Sequence, residues 1–308
     1  MPVTVGGVSH TYLEKTPFEA RALVDVSLEV ADGEFVGIIG PTGSGKSTLI
    51  QIIDGLIRPT AGRVVVDGLD LSVKANLREV RRRVGLIFQY PEHQLFEETV
   101  TADVAFGPKN LGLPEGEVAE RVREALRLVG LDPDRIGPRS PFALSGGQMR
   151  RAAIAGVLAM RPRLLILDEP AAGLDPRGRE EILGYVRRLH KDLRQTVVLV
   201  SHHMEDVARL ADRVVVMHRG KVVMDGPTAE VFTAGDRLRE LGLRVPAVTE
   251  LMLRLKERGW PLATDALTIE EAARRIIAAA RAGAGRSGPA GGAPDERPGE
   301  SPTGGGHR

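Results

Sequence analysis

The stretch "EFVGIIGPTGSGKSTLIQIIDGLI", Glu34 to Ile57, constrains this chain more than any other. A short apolar run enters a glycine-rich turn, and the turn opens directly into an apolar helix. Gly40, Gly45, Lys46 and Ser47 satisfy G-x-x-x-x-G-K-[ST] in the strand–loop–helix context that gives the pattern meaning. Glycines let successive backbone N–H groups turn inward as an anion nest, and the helix N-terminus adds the positive end of its dipole. Gly40, Pro41, Thr42, Gly43, Ser44, Gly45, Lys46, Ser47 and Thr48 are therefore the expected triphosphate cradle. Lys46 reaches the β- and γ-phosphates, and the Ser47 hydroxyl is a ligand for Mg²⁺.

The cradle needs a cation site and a base. "LLILDEP" supplies both at the end of an apolar strand, Leu164 to Asp168. Asp168 and Glu169 then stand at the carboxyl edge of a sheet, where open α/β sheets bind ligands. The reading gives Asp168 to Mg²⁺, through water, and Glu169 to the attacking water as general base. "TVVLVS", Thr196 to Ser201, is a third strand apolar on both faces, as parallel strands covered by helices are. "VVVMHRGKVVMDG" reads as a hairpin about Arg219-Gly220, and Val118 to Val129 as an amphipathic helix. The alternation predicts an α/β fold with a mainly parallel core sheet.

Bulk properties exclude several classes. The net charge is +1 with 27% charged residues, so no field points to nucleic acid or to an acidic lipid surface. Cysteine is absent, which removes disulfides and thiolate metal sites and suits a reducing cytoplasm. No apolar run approaches the ~18 residues of a membrane span. The N-terminus lacks the basic head and apolar core of a signal peptide. The expectation is a soluble chain whose membrane role comes through a partner.

A phosphate loop alone leaves kinases, GTPases, recombinases and transport ATPases open. "LSGGQ", Leu144 to Gln148, narrows the choice. Ser145, Gly146, Gly147 and Gln148 open a second helix whose N-terminus can meet an anion. One triphosphate needs one such cradle, so the second helix end suits a nucleotide held by another subunit. Alone, the pentapeptide reads as an ordinary helix capped by Ser145. It is followed by "AGLD" and "SHH". Together these elements resemble the ATP-binding-cassette (ABC) ATPases over about residues 3–232. The resemblance implies a P-loop cassette with an antiparallel β subdomain and a helical signature subdomain at about residues 90–160, within a domain of residues 1–232. It implies ATP and Mg²⁺ as cofactors, Asp175 in the D-loop, His202 as the switch histidine, Gln89 as the residue touching Mg²⁺ or the lytic water, and Tyr12 as the ring stacked on adenine. It implies a closed dimer in which Ser145 and Gly147 of one subunit face the ATP of the other.

The segment after Gln89, "PEHQLFEETV", mixes turn residues, a Leu-Phe pair and a carboxylate pair. Leu95 and Phe96 either enter a groove gripping a partner helix, with Glu97 and Glu98 at its rim, or tuck under their own domain. With "AFGPKN" and "SGGQMRRAAIAGVLAM", this string is similar to the ATP-binding subunits of energy-coupling factor (ECF) transporters, which drive uptake of vitamins and of cobalt or nickel ions. That similarity implies a transmembrane coupling subunit, a membrane substrate-binding subunit and a second ATPase, with a heterodimer favoured over a homodimer. The chain would lie at the cytoplasmic face of the membrane, with no nucleic acid partner. Residues 233–283 would form a small, dimer-stabilising helical extension, its second helix opened by a capping box of Thr268 and Glu271. Residues 284–308, rich in Gly and Pro, are expected to be a disordered tail. Two positions depart from the cassette pattern: Ala171 stands where Thr is common, and His10 where an aromatic is usual.

Overall fold

The computed structural model describes residues 2–284. The expected tail lies, from residue 285 onward, outside the described residues. A six-stranded sheet forms the centre, in the order Lys221–Pro227, Arg213–His218, Phe35–Ile39, Thr196–Val200, Leu164–Asp168, Val84–Ile87. Every neighbouring pair is parallel except the edge hairpin, which turns at Arg219-Gly220 as expected. Both turn residues have positive φ (48° and 76°), the geometry that matches the twist of its strands.

Three of the four inner strands, Phe35–Ile39, Leu164–Asp168 and Thr196–Val200, are buried throughout, and their side chains alternate between two cores. Phe35, Ile39, Leu165, Leu167, Val197 and Leu199 face one, with the helices Glu115–Leu128, Gly146–Leu158 and Pro176–Leu193. Val36, Ile38, Leu164, Ile166, Val198 and Val200 face the other, which holds the helix Lys46–Ile53 and a second, antiparallel sheet. That sheet runs Ala20–Val30, Val3–Tyr12, Ala61–Val66, Leu69–Asp70. Each fully buried Ile, Leu or Phe contributes about 1.5–3 kcal/mol, so a period-2 apolar strand fixes its own register between these layers.

Helices Val100–Asn110, Glu115–Leu128 and Gly146–Leu158 pack together beside the parallel sheet. The two expected C-terminal helices are Ala247–Glu257 and Ile269–Ala284, joined over a small separate core of Met252, Ala266 and Ala272. The cap of the last helix differs in detail from the expected box. Thr268 Oγ1 accepts from Glu271 N at 3.3 Å, but the Glu271 carboxylate accepts from Leu267 N at 3.0 Å, one residue before the cap. Among the described residues no helix is long and apolar enough to cross a membrane.

Candidate functional site

The parallel sheet delivers its functional loops to one edge. Gly40 to Gly45 leave the strand Phe35–Ile39, Glu169 follows Leu164–Asp168 directly, and His202 lies two residues past the end of Thr196–Val200. Glycine is required twice in the first loop. At Gly40 (φ 157°) a Cβ would stand 2.2 Å from Met217 O, and at Gly45 (φ 101°) 2.5 Å from Ala22 O. The loop is pinned from outside by Gly220 N, which donates to Ser44 O at 3.0 Å.

The cradle carries features of an anion site. Ser44 is 2% exposed, and among the described residues its Oγ has no hydrogen-bond partner. A buried hydroxyl left so is costly unless something else satisfies it, and a phosphate oxygen fits. Lys46 Nζ curls over its own loop, donating to Gly40 O at 2.8 Å and Pro41 O at 2.9 Å. Burial lowers its pKa, and the nearby Glu169 and Asp168 charges oppose that shift. Thr42, Gly43 and Ser47 are exposed, and Thr48 is buried.

The carboxylates sit against this lysine. Burial raises the Asp168 pKa, the Glu169 charge adds to the rise, and a hydrogen bond with Ser47 and the Lys46 charge oppose it. Two partly desolvated carboxylates beside a Ser hydroxyl form a donor set suited to a hard divalent cation. Glu169 adopts left-handed backbone geometry (φ 51°), unusual for a residue other than glycine. His202 Nδ1 lies 2.5 Å from Glu169 Oε2, within hydrogen-bond distance. The neighbouring His203 occupies the N-cap position of the helix Met204–Leu210 but makes no side-chain cap bond. Its ring packs 4.1 Å from that of His202.

Tyr12 ends its strand half-exposed, and its hydroxyl is hydrogen-bonded with that of Thr48 at 3.2 Å. His10 lies edge-on to the Tyr12 ring at 4.5 Å; it is buried, and neither ring nitrogen has a partner among the described residues. Gln89 is exposed, two residues past the end of the strand Val84–Ile87. Asp175 caps the helix Pro176–Leu193, accepting from Gly178 N at 2.7 Å.

The signature motif opens the helix Gly146–Leu158. Ser145 and Gln148 form a reciprocal capping box, with Ser145 Oγ accepting from Gln148 N at 3.4 Å and Gln148 Oε1 from Ser145 N at 3.1 Å. Ser145, Gly146 and Gly147 are exposed, so this helix end serves as a cap and also presents its N–H groups outward.

The Leu-Phe pair after Gln89 does not share one environment. Leu95 is 8% exposed and tucks under its own domain, whereas Phe96 is 57% exposed and packs edge-on to Phe106 at 5.0 Å. A shallow cavity of about 160 Å³ lies there, lined by Leu95, Phe96, Phe106, Ala153, Val157 and Met160. Glu97 is half-buried and Glu98 exposed; the buried Asp103 carboxylate accepts from Glu97 N at 3.0 Å.

Residue-by-residue reading missed two ion pairs. Arg150 binds Glu92 through Nε (2.9 Å) and Nη2 (2.8 Å), and Arg179 binds Asp206 with a closest contact of 2.7 Å. Their only sequence signal is position: each arginine stands on the helix opened by one of the named motifs.

A glycine loop between strand and helix, a carboxylate pair at the end of another strand of the same sheet, and a second helix opened by Ser-Gly-Gly are the elements of an ABC-type P-loop ATPase. The ABC transporter family matches residues 23–172. The energy-coupling factor transporter ATP-binding protein EcfA2 of Symbiobacterium thermophilum is 60% identical over 289 residues, covering 93% of this chain and 100% of that one. Its counterpart from Clostridium tetani is 53% identical over 278 residues, covering 90% and 96%. Among solved structures, cbiO1 from Clostridium perfringens, part of the ABC transporter complex cbiONQ, superposes with a TM-score of 0.68 at 37% identity, covering 81% of this chain and 98% of that one. A dimeric post-hydrolysis state of the cassette MJ0796 bound to ADP and Pi gives 0.66 at 31% identity, covering 73% and 98%. The chain belongs to the energy-coupling factor ATP-binding proteins of the ABC transporter family. It binds ATP and hydrolyses it to drive transport.

Proposed function

We propose that this chain is one of a pair of ATPases powering import of a vitamin or a transition-metal ion, at the cytoplasmic face of the membrane. Its complex contains a transmembrane coupling subunit and a membrane substrate-binding subunit. The observation that carries the reading is the presence of two glycine-rich helix openings on one chain, at Gly40 to Lys46 and at Ser145 to Gly147, the second with its tip exposed. The cradle with Lys46, Asp168 and Glu169 is one half-site, and the outward tip Ser145–Gly147 is the other.

In this reading Tyr12 stacks on the adenine, and the loop from Gly40 to Thr48 cradles the phosphates. Ser47, Asp168 and Gln89 hold Mg²⁺, which offsets phosphate charge when bound. Among the described residues no cluster of three or more His, Cys, Asp or Glu could hold a metal ion, which suits a cation completed by phosphate oxygens and water. Glu169 orients and deprotonates the attacking water, and His202 fixes that carboxylate and meets the γ-phosphate. Ser145 and Gly147 of the second ATPase, a related chain or another copy, stabilise charge on the far side of the nucleotide, and Asp175 sits at the same interface. Phe96, with Glu97 and Glu98 beside it, receives a short helix of the coupling subunit.

The test is co-purification of the tagged chain from membranes, followed by ATP-dependent uptake of labelled vitamins, cobalt and nickel in proteoliposomes. Recovery with two membrane proteins and a second ATPase is expected. Full-rate hydrolysis by a strict monomer, indifferent to replacement of Ser145, would overturn the assignment.

A further inference from the structure

Arg150 lies on the inward side of the signature helix and is 3% exposed, yet it carries a full charge. Three of its nitrogens are committed. Nε and Nη2 hold both oxygens of Glu92, and Nη1 donates to Ala172 O at 2.5 Å. The guanidinium also lies 5.9 Å from the centre of the Tyr90 ring. Its two anchor points are not arbitrary. Glu92 is three residues after Gln89, and Ala172 three residues after Glu169. Ala172 N in turn donates to Glu169 O at 3.0 Å, closing the turn that holds Glu169 in left-handed geometry. Burial pushes the Glu92 carboxyl up most strongly, but the Arg150 hydrogen bonds, a backbone hydrogen bond and the Arg150 and His93 charges together hold the group below its ordinary value.

We propose that Arg150 is a positioning residue: its fork clamps the segment after Gln89 to Ala172, and so sets the backbone that aims Glu169. The clamp is intramolecular, while the tip of the same helix faces outward. Displacement of the Glu92 segment by a partner therefore moves both the signature tip and the turn behind the base. Bidentate geometry is essential, because a lysine supplies charge at one point and cannot hold two oxygens and a carbonyl together. The proposal rests on Glu169 as base and Gln89 as the nucleotide contact.

The experiment uses the ATPase purified with its membrane partners and compares Arg150→Lys, Glu92→Gln and the double variant. Hydrolysis kinetics, binding of trinitrophenyl-ATP and the melting temperature are measured on each. Each single change is expected to lower kcat about tenfold with KM and nucleotide affinity within about twofold, and the double variant to be no worse than the poorer single one. A role limited to folding would instead move kcat only in step with melting temperature. If Arg150→Lys does not fold, Glu92→Gln carries the test, since it keeps the volume and removes one charge. Wild-type kcat in folded Glu92→Gln, or strictly multiplying losses in the double variant, would overturn the clamp. Glu169→Gln and Ser145→Asp serve as controls. If they still hydrolyse ATP, the functional assignment falls and takes the clamp with it. If they are inactive while Arg150→Lys and Glu92→Gln turn over normally, only the clamp falls.

Discussion

His202 Nδ1 stands 2.5 Å from Glu169 Oε2, and Glu169 reaches that contact from a left-handed backbone. Its side chain is therefore aimed from both ends, by the turn that closes on Ala172 and by the imidazole. Glu169→Gln preserves shape and removes the basic lone pair. It should lower kcat by about 10²–10⁴-fold while leaving ATP affinity intact, the range general bases contribute. His202→Ala should lower kcat too, and the two losses should not multiply, because the residues act as a unit. Single-turnover kinetics with a binding assay on the same samples separates the outcomes; unchanged hydrolysis in Glu169→Gln would remove it as the base.

Ser145 has two jobs that one substitution can pull apart. Its Oγ caps the signature helix, and its exposed tip is the proposed partner of a phosphate on the opposing subunit. Ser145→Ala would lose both, including about 1 kcal/mol of cap. Ser145→Asp keeps a good N-cap and places a negative charge where the phosphate would come. The Asp variant should melt at the wild-type temperature and bind ATP, yet fail to dimerise on ATP in light scattering. ATP-driven dimers of Ser145→Asp would count against the tip as a second half-site.

The cradle, the carboxylate strand and the buried strands were legible in the sequence because the physics that makes them is local. A glycine loop between strand and helix needs no distant partner to be recognised, and strands buried on both faces announce themselves as apolar runs. What escaped was long-range or irregular. Glu92 and Arg150 are 58 residues apart, and each alone looks like an ordinary solvated charge. The opposite fates of Leu95 and Phe96 follow a short 3₁₀ turn at Pro91–Gln94, where burial has no fixed period to read. The left-handed geometry of Glu169 is imposed by the turn around it, and nothing in the side chain forecasts it.

That difference between neighbours gives a paired prediction. Leu95 is buried against its own domain, so Leu95→Ala should cost about 2 kcal/mol or more of stability. Phe96 is mostly exposed and touches Phe106 edge-on, so Phe96→Ala should cost about 1 kcal/mol at most. The order should reverse for the complex. Phe96→Ala, or a charge at Phe96, should release the chain from its membrane partners and stop uptake while sparing nucleotide binding. Denaturant titration of the isolated chain and pull-down of the complex measure the two effects; normal assembly of a charged Phe96 variant would place the partner elsewhere.

Asp54 yields a pH prediction unconnected with turnover. It terminates the helix that follows the phosphate loop, and it is buried. The cation whose charge acts on it, Arg81, commits Nη2 to Gly55 O at 2.7 Å. Burial raises the Asp54 pKa from 3.8 to about 7, with the Arg81 charge opposing. The native state thus keeps this proton where the unfolded chain has released it. Between about pH 4 and 7 the folded form binds more protons, so this group's contribution to stability falls as pH rises through that window. Above it the full cost applies, up to about 4 kcal/mol for a shift of this size. Asp54→Asn removes the ionisation and should melt higher than wild type at pH 8, with the advantage shrinking steadily toward pH 5. Thermal melts across that range decide it: a difference constant from pH 5 to 8 would mean that Asp54 ionises in the native state much as it does in the unfolded chain.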